Sequence, residues 1–203
     1  KTGLQSAILY LQVTRGQEPI RSLLPQPDTP PTICAFVYPR PVMSHNIWQQ
    51  GISAITLNDI RWQRCDIKAT SLAGNVLARL EAQRAGAQEA IFIRDGWLSE
   101  GASSNVFVVI DGIIMTPPKD AHILPGITRD HLVEVAQNHH LPIQQSPVSH
   151  EQLLCADEIA LSSSAIDLIP VTLLNGRPVG KSTFSPVFEH LHQLYLKAID
   201  HHE

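Results

Sequence analysis

Three tight-turn signals constrain this chain more than any other feature. Asp95-Gly96 ends the apolar run EAIFIR, Asp111-Gly112 joins NVFVVI to IIMT, and Asn175-Gly176 marks a third reversal. Two-residue hairpin loops need positive φ at their centre, which Asp, Asn and Gly tolerate, so each dipeptide predicts an antiparallel hairpin. Other elements fit around them. The β-branched and apolar runs at residues 7–14, 32–38 and 52–57 read as strands. Residues 69–85 read as a helix, because Leu72, Val76 and Leu80 recur with Ala73 and Leu77 as one apolar stripe, and Gly86 fits its C-terminal stop. A helix from Thr128 to Asn138, a strand at 143–148, a short helix near 150–155, a strand at 157–162 and an amphipathic helix at 183–200 complete the reading. The fold class is α+β, with hairpins and separate helices rather than strict strand–helix alternation.

At 203 residues and 43% hydrophobic, the chain can bury a sizeable core. Prolines in "PRP" at 39–41 restrict the backbone, which places a linker over residues 41–46 between units at 1–40 and 47–203. Net charge is −4 with no long basic run, which excludes nucleic acid as the main partner. No stretch of about 18 apolar residues is present, so no membrane span is expected, and no secretory signal is visible. Cys34, Cys65 and Cys155 are odd in number and widely spaced, which fits a reducing cytoplasm rather than a disulfide framework. His139-His140 and His201-His202 are adjacent pairs, not ligand pairs one helical turn apart, so no metal site is expected. The chain opens on Lys1 and runs at once into SAILYLQVTRG, which reads as the interior of a domain.

Four stretches carry polar residues at the ends of elements. Lys68 stands before the 69–85 helix; SEGASSN at 99–105 sets Glu100 in a Gly/Ser turn; LPGITRD at 124–130 leads into a helix; and LSSSAIDLIP at 161–170 ends a strand in three hydroxyls. Singly, each is ordinary. Lysines before helices are usually solvated, Glu100 fits a loop carboxylate, Thr128 suits a helix N-cap, and Ser162–Ser164 suit a turn. No P-loop, G-x-G-x-x-G or G-x-S-x-G motif offers a competing chemistry. Together the four stretches fit one ligand. A helix N-terminus with backbone N–H groups and hydroxyls from Thr128, Ser163 and Ser164 can bind a phosphate. A lysine amine can form a Schiff base with an aldehyde, and a carboxylate can hold a ring nitrogen protonated. Phosphate, aldehyde and ring nitrogen are the three handles of pyridoxal 5′-phosphate.

The stretches YLQVTRG, DIRWQRCDIK, GNVLARLEA, SEGASSNVF, ILPGITRD and DEIALSSSAIDLIPV resemble, in order and spacing, the class IV (fold type IV) pyridoxal-phosphate enzymes. The closest likeness is to the D-amino-acid (D-alanine) aminotransferases. It implies a large C-terminal domain with a barrel-like sheet of hairpins plus helices, and makes residues 1–40 the remnant of a smaller N-terminal α/β domain whose start is missing. It implies Lys68 as Schiff-base lysine and proton shuttle, Glu100 on the pyridine nitrogen, Arg61 near the phenolic oxygen, and Leu124 on a ring face. Ile127, Thr128, Ser163 and Ser164 would hold the phosphate. The expected partners are an amino acid and a 2-oxo acid, in a homodimer.

The likeness weakens in the loop QEPIRSLLP after Gly16. The family's Arg-x-His pair for the substrate carboxylate would fall on Ile20 and Ser22, with Arg21 one position away. Side chains alternate direction along an extended chain, so Arg21 reaches the carboxylate only through a loop rearrangement. Three alternatives therefore stay open: a 4-amino-4-deoxychorismate lyase, which releases pyruvate on the same scaffold; a branched-chain L-amino-acid aminotransferase; and a catalytically impaired protein that keeps the fold.

Overall fold

The computed structural model describes Gly3 and residues 6–40, 46–180 and 185–200. The chain forms two compact units, Lys1–Val42 and Met43–Glu203. The expected linker lies outside the described residues except for Asn46. In the first unit, β1 (Ala7–Thr14) pairs antiparallel with β2 (Thr32–Pro39), in register from Ala7↔Pro39 to Thr14↔Thr32.

The second unit begins with α1 (Ile47–Gln50), a single turn the sequence reading missed, then β3 (Ile52–Asn58) and α2 (Ala73–Arg84). The two hairpins follow as β4 (Glu89–Arg94) with β5 (Trp97–Gly101), and β6 (Asn105–Ile110) with β7 (Ile113–Thr116). Then come α3 (Ile127–Asn138), β8 (Ile143–Gln145), α4 (His150–Leu154), β9 (Glu158–Ser163), β10 (Asp167–Leu174), β11 (Arg177–Pro178) and α5 (Pro186–Asp200). All three turn dipeptides have positive φ at both residues, as the hairpin reading requires: 51° and 83° at Asp95-Gly96, 50° and 77° at Asp111-Gly112, and 53° and 73° at Asn175-Gly176.

The strands of this unit form one mixed sheet in the order β5-β4-β3-β10-β9-β6-β7-β8, with β11 on β10. Here the structure differs from an arrangement of hairpins alone. β3 pairs parallel with β4 across α2, and β7 pairs parallel with β8 across α3, so two strand–helix–strand units are built in. β8 is shorter than its expected span because Pro147 has no N–H to continue a ladder. Just beyond it the chain crosses to the opposite edge of the sheet. Leu98 N–H donates to the Val148 carbonyl at 2.9 Å, and His150 N–H to the Gly96 carbonyl at 2.8 Å. The segment after the last strand thus meets β5, the first in the order, and the sheet curls toward a barrel.

Most central strands are buried on both faces. Ile91, Ile93, Val106, Val108, Ile159 and Leu161 face one apolar cluster. The alternate residues Phe107, Val109 and Ala160 pack under α3 and α5, and Ala90 and Phe92 pack under α2. This double burial explains continuous runs such as EAIFIR.

Two helix expectations need correction. α2 starts at Ala73, four residues late, and it buries Ala78 and Ala82 rather than the larger stripe; Leu72, Val76, Leu77 and Leu80 are exposed. Small side chains let the helix approach the sheet closely over Phe92. α3 is capped by Gly126 in an extended conformation, so Thr128 is its second residue and not its cap. The C-terminus of α2 follows the expected pattern: Gly86 has φ 74°, Gly86 N–H returns to the Gln83 carbonyl and Ala87 N–H to the Ala82 carbonyl.

Candidate active site

Glu100 stands near the end of β5 and is 6% exposed. Its Oε1 accepts from Arg61 Nη1 at 2.5 Å. Its Oε2 accepts from the Leu124 amide at 2.9 Å and from Asn105 Nδ2 at 3.3 Å. Asn105, the first residue of β6, also donates to the Leu124 carbonyl at 2.9 Å. A carboxylate offers about four acceptor sites. Three are taken, which leaves one for a further N–H. Burial pushes the Glu100 carboxyl up from its ordinary value, against the pull of Arg61 and the Leu124 amide.

Arg61 is held from several directions. Asp59 Oδ1 accepts from its backbone N–H at 3.0 Å and from Nε at 2.9 Å, and Oδ2 accepts from Nη2 at 2.9 Å. The guanidinium carbon lies 4.2 Å above the Phe92 ring. Gly74 closes over it: a Cβ there would come 3.0 Å from Arg61 Cγ. Burial works to raise the Asp59 carboxyl, but the hydrogen bonds and charge of Arg61, with the charge of Arg94, outweigh it and hold it low.

The chain is pinned on either side of Lys68. Cys65 N–H donates to the Ala121 carbonyl at 2.8 Å, three residues before Lys68 and three before Leu124. Asn75 in the first turn of α2 donates to the Ala102 carbonyl at 2.8 Å, beyond Glu100. Lys68 itself is exposed, and so is Ser164; Leu124 and Ser163 are half-buried. Thr128 is buried, whereas Ile127 is 88% exposed. Arg21 belongs to the N-terminal unit, where it is exposed. Burial pushes the Cys65 thiol up, so it is not a thiolate nucleophile.

The amino-transferase class IV family model matches residues 1–174. A D-alanine aminotransferase of Staphylococcus aureus (strain MSSA476) is 35% identical over 201 residues, covering 98% of this chain and 70% of that protein. Its Staphylococcus haemolyticus counterpart is 39% identical over 199 residues, covering 97% and 70%. The chain belongs to the class IV aminotransferases. Among solved structures, a branched-chain amino acid aminotransferase from T.th., with pyridoxamine 5′-phosphate, superposes with a TM-score of 0.88 at 27% identity, covering 97% of this chain and 66% of that one. A hypothetical aminotransferase from Mycobacterium tuberculosis, in its PLP-bound form, gives 0.81 at 29% identity, covering 97% and 69%.

A class IV aminotransferase needs a place for pyridoxal phosphate, and the residues here fit it. Glu100 retains an acceptor site for a ring N–H. The 12-residue helix α3 follows Gly126, its N-cap, with no side-chain cap hydrogen bond, so its N-terminal amides suit a phosphate. Gly126 lies against Asn105, leaving no room for a side chain. Ser162, paired across the sheet with Asn105, has a buried hydroxyl without a hydrogen-bond partner.

Sequence reasoning missed Asp59 and Asn105. Both lie inside stretches already singled out: Asp59 two residues before Arg61, Asn105 at the end of SEGASSN. A carboxylate two residues from an arginine is a local signal for a clamp. Asn105 had no local signal, because its role depends on Leu124, nineteen residues away in sequence.

Proposed function

We propose that this chain carries the pyridoxal-phosphate site of an aminotransferase that exchanges the amino group of a D-amino acid such as D-alanine with a 2-oxo acid. The observation that supports it best is the Glu100 cage of Arg61, Asn105 and the Leu124 amide, with one acceptor site left over. When bound, the cofactor supplies an aldehyde for the amino group and a ring that draws electrons from the substrate α-carbon. Lys68 would bind the aldehyde until the substrate amine displaces it, and its freed amine would then carry the proton from the substrate α-carbon to the cofactor side. Glu100 would accept the hydrogen bond of the protonated ring nitrogen. Thr128, Ser163, Ser164 and the Ile127 amide would hold the phosphate and Leu124 would pack on a ring face; Arg61, which pairs with Glu100, would also lie near the ring's phenolic oxygen. The D-alanine aminotransferase relatives rank transamination above pyruvate release by a lyase. The family resemblance supports a homodimer, and free Cys34, Cys65 and Cys155 suit a reducing cytoplasm. Among the described residues, no helix is long and apolar enough to cross a membrane.

The test is direct. Purified protein given pyridoxal phosphate should show a visible absorption band that borohydride removes, and Lys68→Ala should abolish it. D-Alanine with 2-oxoglutarate should yield pyruvate. An unchanged spectrum in Lys68→Ala refutes the lysine assignment; pyruvate formed from aminodeoxychorismate alone refutes transamination.

A further inference from the structure

Asp59 has no part in the chemistry just described, yet its side chain is fully buried, at 0% exposure. It stands between two arginines. Its Oδ2 accepts from Arg61 Nη2 and lies 2.9 Å from Arg94 Nη2. Arg94 also donates to the Trp62 carbonyl at 3.1 Å, on the segment that leads to Lys68. The charged groups at this point are Asp59, Arg61, Arg94 and Glu100, with the neutral Cys65 thiol beside them. The two anions and two cations balance.

The division of Arg61 is uneven. Asp59 takes Nε and Nη2, the paired edge that gives two parallel hydrogen bonds, while Glu100 receives Nη1 alone. Glu100 Oε2 already accepts from the Leu124 amide and Asn105, so the site left open is on Oε1, beside Arg61 Nη1. Without Asp59, the guanidinium is free to turn a second N–H onto Oε1, which would cover that site and offset the carboxylate's charge. We propose that Asp59 is a positioning residue for the reaction: it claims the paired edge of Arg61, shares its own charge with Arg94, and so leaves Glu100 free to face a cationic ring nitrogen. This rests on the cofactor reading above.

The protonated form of the bound cofactor carries one more positive charge than the deprotonated form. The pH midpoint of its visible absorption change therefore reports the local charge without any turnover. Asp59→Asn removes an anion and hands Arg61 to Glu100, and should lower the midpoint by about one pH unit, the size expected for a unit charge at such range in a partly buried site. Arg94→Gln removes a cation while Asp59 keeps Arg61, and should raise it. Loss of packing alone would not move the two variants in opposite directions. Shifts of the same sign, or no shift, overturn the proposal. Should Asp59→Asn fail to fold, Arg94→Gln decides by itself, and a midpoint that does not rise overturns it. A wild-type protein with no band at all overturns the cofactor reading and the role of Asp59 with it, a different result from a band that is present and unmoved.

Discussion

Asn105 and Gly126 meet with no slack: a Cβ placed on Gly126 would lie 2.2 Å from Asn105 Oδ1. The same Asn105 side chain donates through Nδ2 to Glu100 and to the Leu124 carbonyl. The start of α3 and the position of Glu100 are therefore fixed by one amide. Gly126→Ala should cost about 1–3 kcal/mol, the usual penalty for overfilling a packed site. In an Asn105→Ala background the added cost should shrink, with a coupling of about 1 kcal/mol between the two positions. Urea denaturation of the four proteins measures this. Strict additivity would show that the contact does not carry the effect.

The orientation of α2 gives a second prediction. Ala82 is 1% exposed on the buried side of the helix, and Leu77 is 56% exposed on its open side. Ala82→Leu should destabilise by about 1–3 kcal/mol through overpacking, while Leu77→Gln should stay within about 0.5 kcal/mol. Equilibrium unfolding separates the two. The reverse order of costs would restore the leucine stripe as the buried face.

That stripe shows where sequence stops being legible. Hairpins were readable because Asp-Gly and Asn-Gly carry their backbone preference locally. Helix existence was readable from local apolar spacing, and the stretches holding Lys68, Glu100 and Leu124 were legible as candidates only as a set, since each alone is ordinary. The buried side of α2 was not, because periodicity gives an apolar face but not what covers it. Strand order was not readable either. Nothing in ISAITL or DLIPVTLL states that β3 lies parallel between β4 and β10. Both facts come from contacts distant in sequence.

His140 predicts a gain rather than a loss. It follows the C-cap of α3 with φ 58°, and the His140 and Leu141 amides return to the Gln137 and Ala136 carbonyls. This is the position that favours glycine, since a side chain there crowds its own backbone. His140 is also exposed, so its ring packs on little. His140→Gly should stabilise the fold by about 0.5–1 kcal/mol, the relief of a left-handed residue less the added freedom of the unfolded chain. Thermal unfolding should show a higher midpoint, and a lower one would show that the histidine ring contributes more than its backbone costs.

Glu158 joins β9 to the first turn of α5. Its carboxylate accepts from the Val187 amide at 3.1 Å and the Phe188 amide at 3.2 Å, and the residue is 6% exposed. Burial pushes its pKa above the ordinary carboxylate value, against the two amides, and Asp157 pushes the same way. The native state therefore holds this proton more tightly than the unfolded chain. Stability from the group is present below the unfolded carboxylate pKa and is lost as pH rises through the folded one. Glu158→Gln keeps a carbonyl for one of the two amides and cannot titrate. Its stability relative to wild type should therefore rise between about pH 4 and about pH 7. Asp59, held low, has the opposite dependence, but it is common to both proteins and cancels in the difference. Glu158→Ala leaves the two amides unpaired and should cost about 1–3 kcal/mol. Denaturant unfolding at both pH values reads all three proteins. A Gln variant that loses ground as pH rises would reverse the sign and show the carboxylate to be stabilised by the helix amides more than it is penalised by burial.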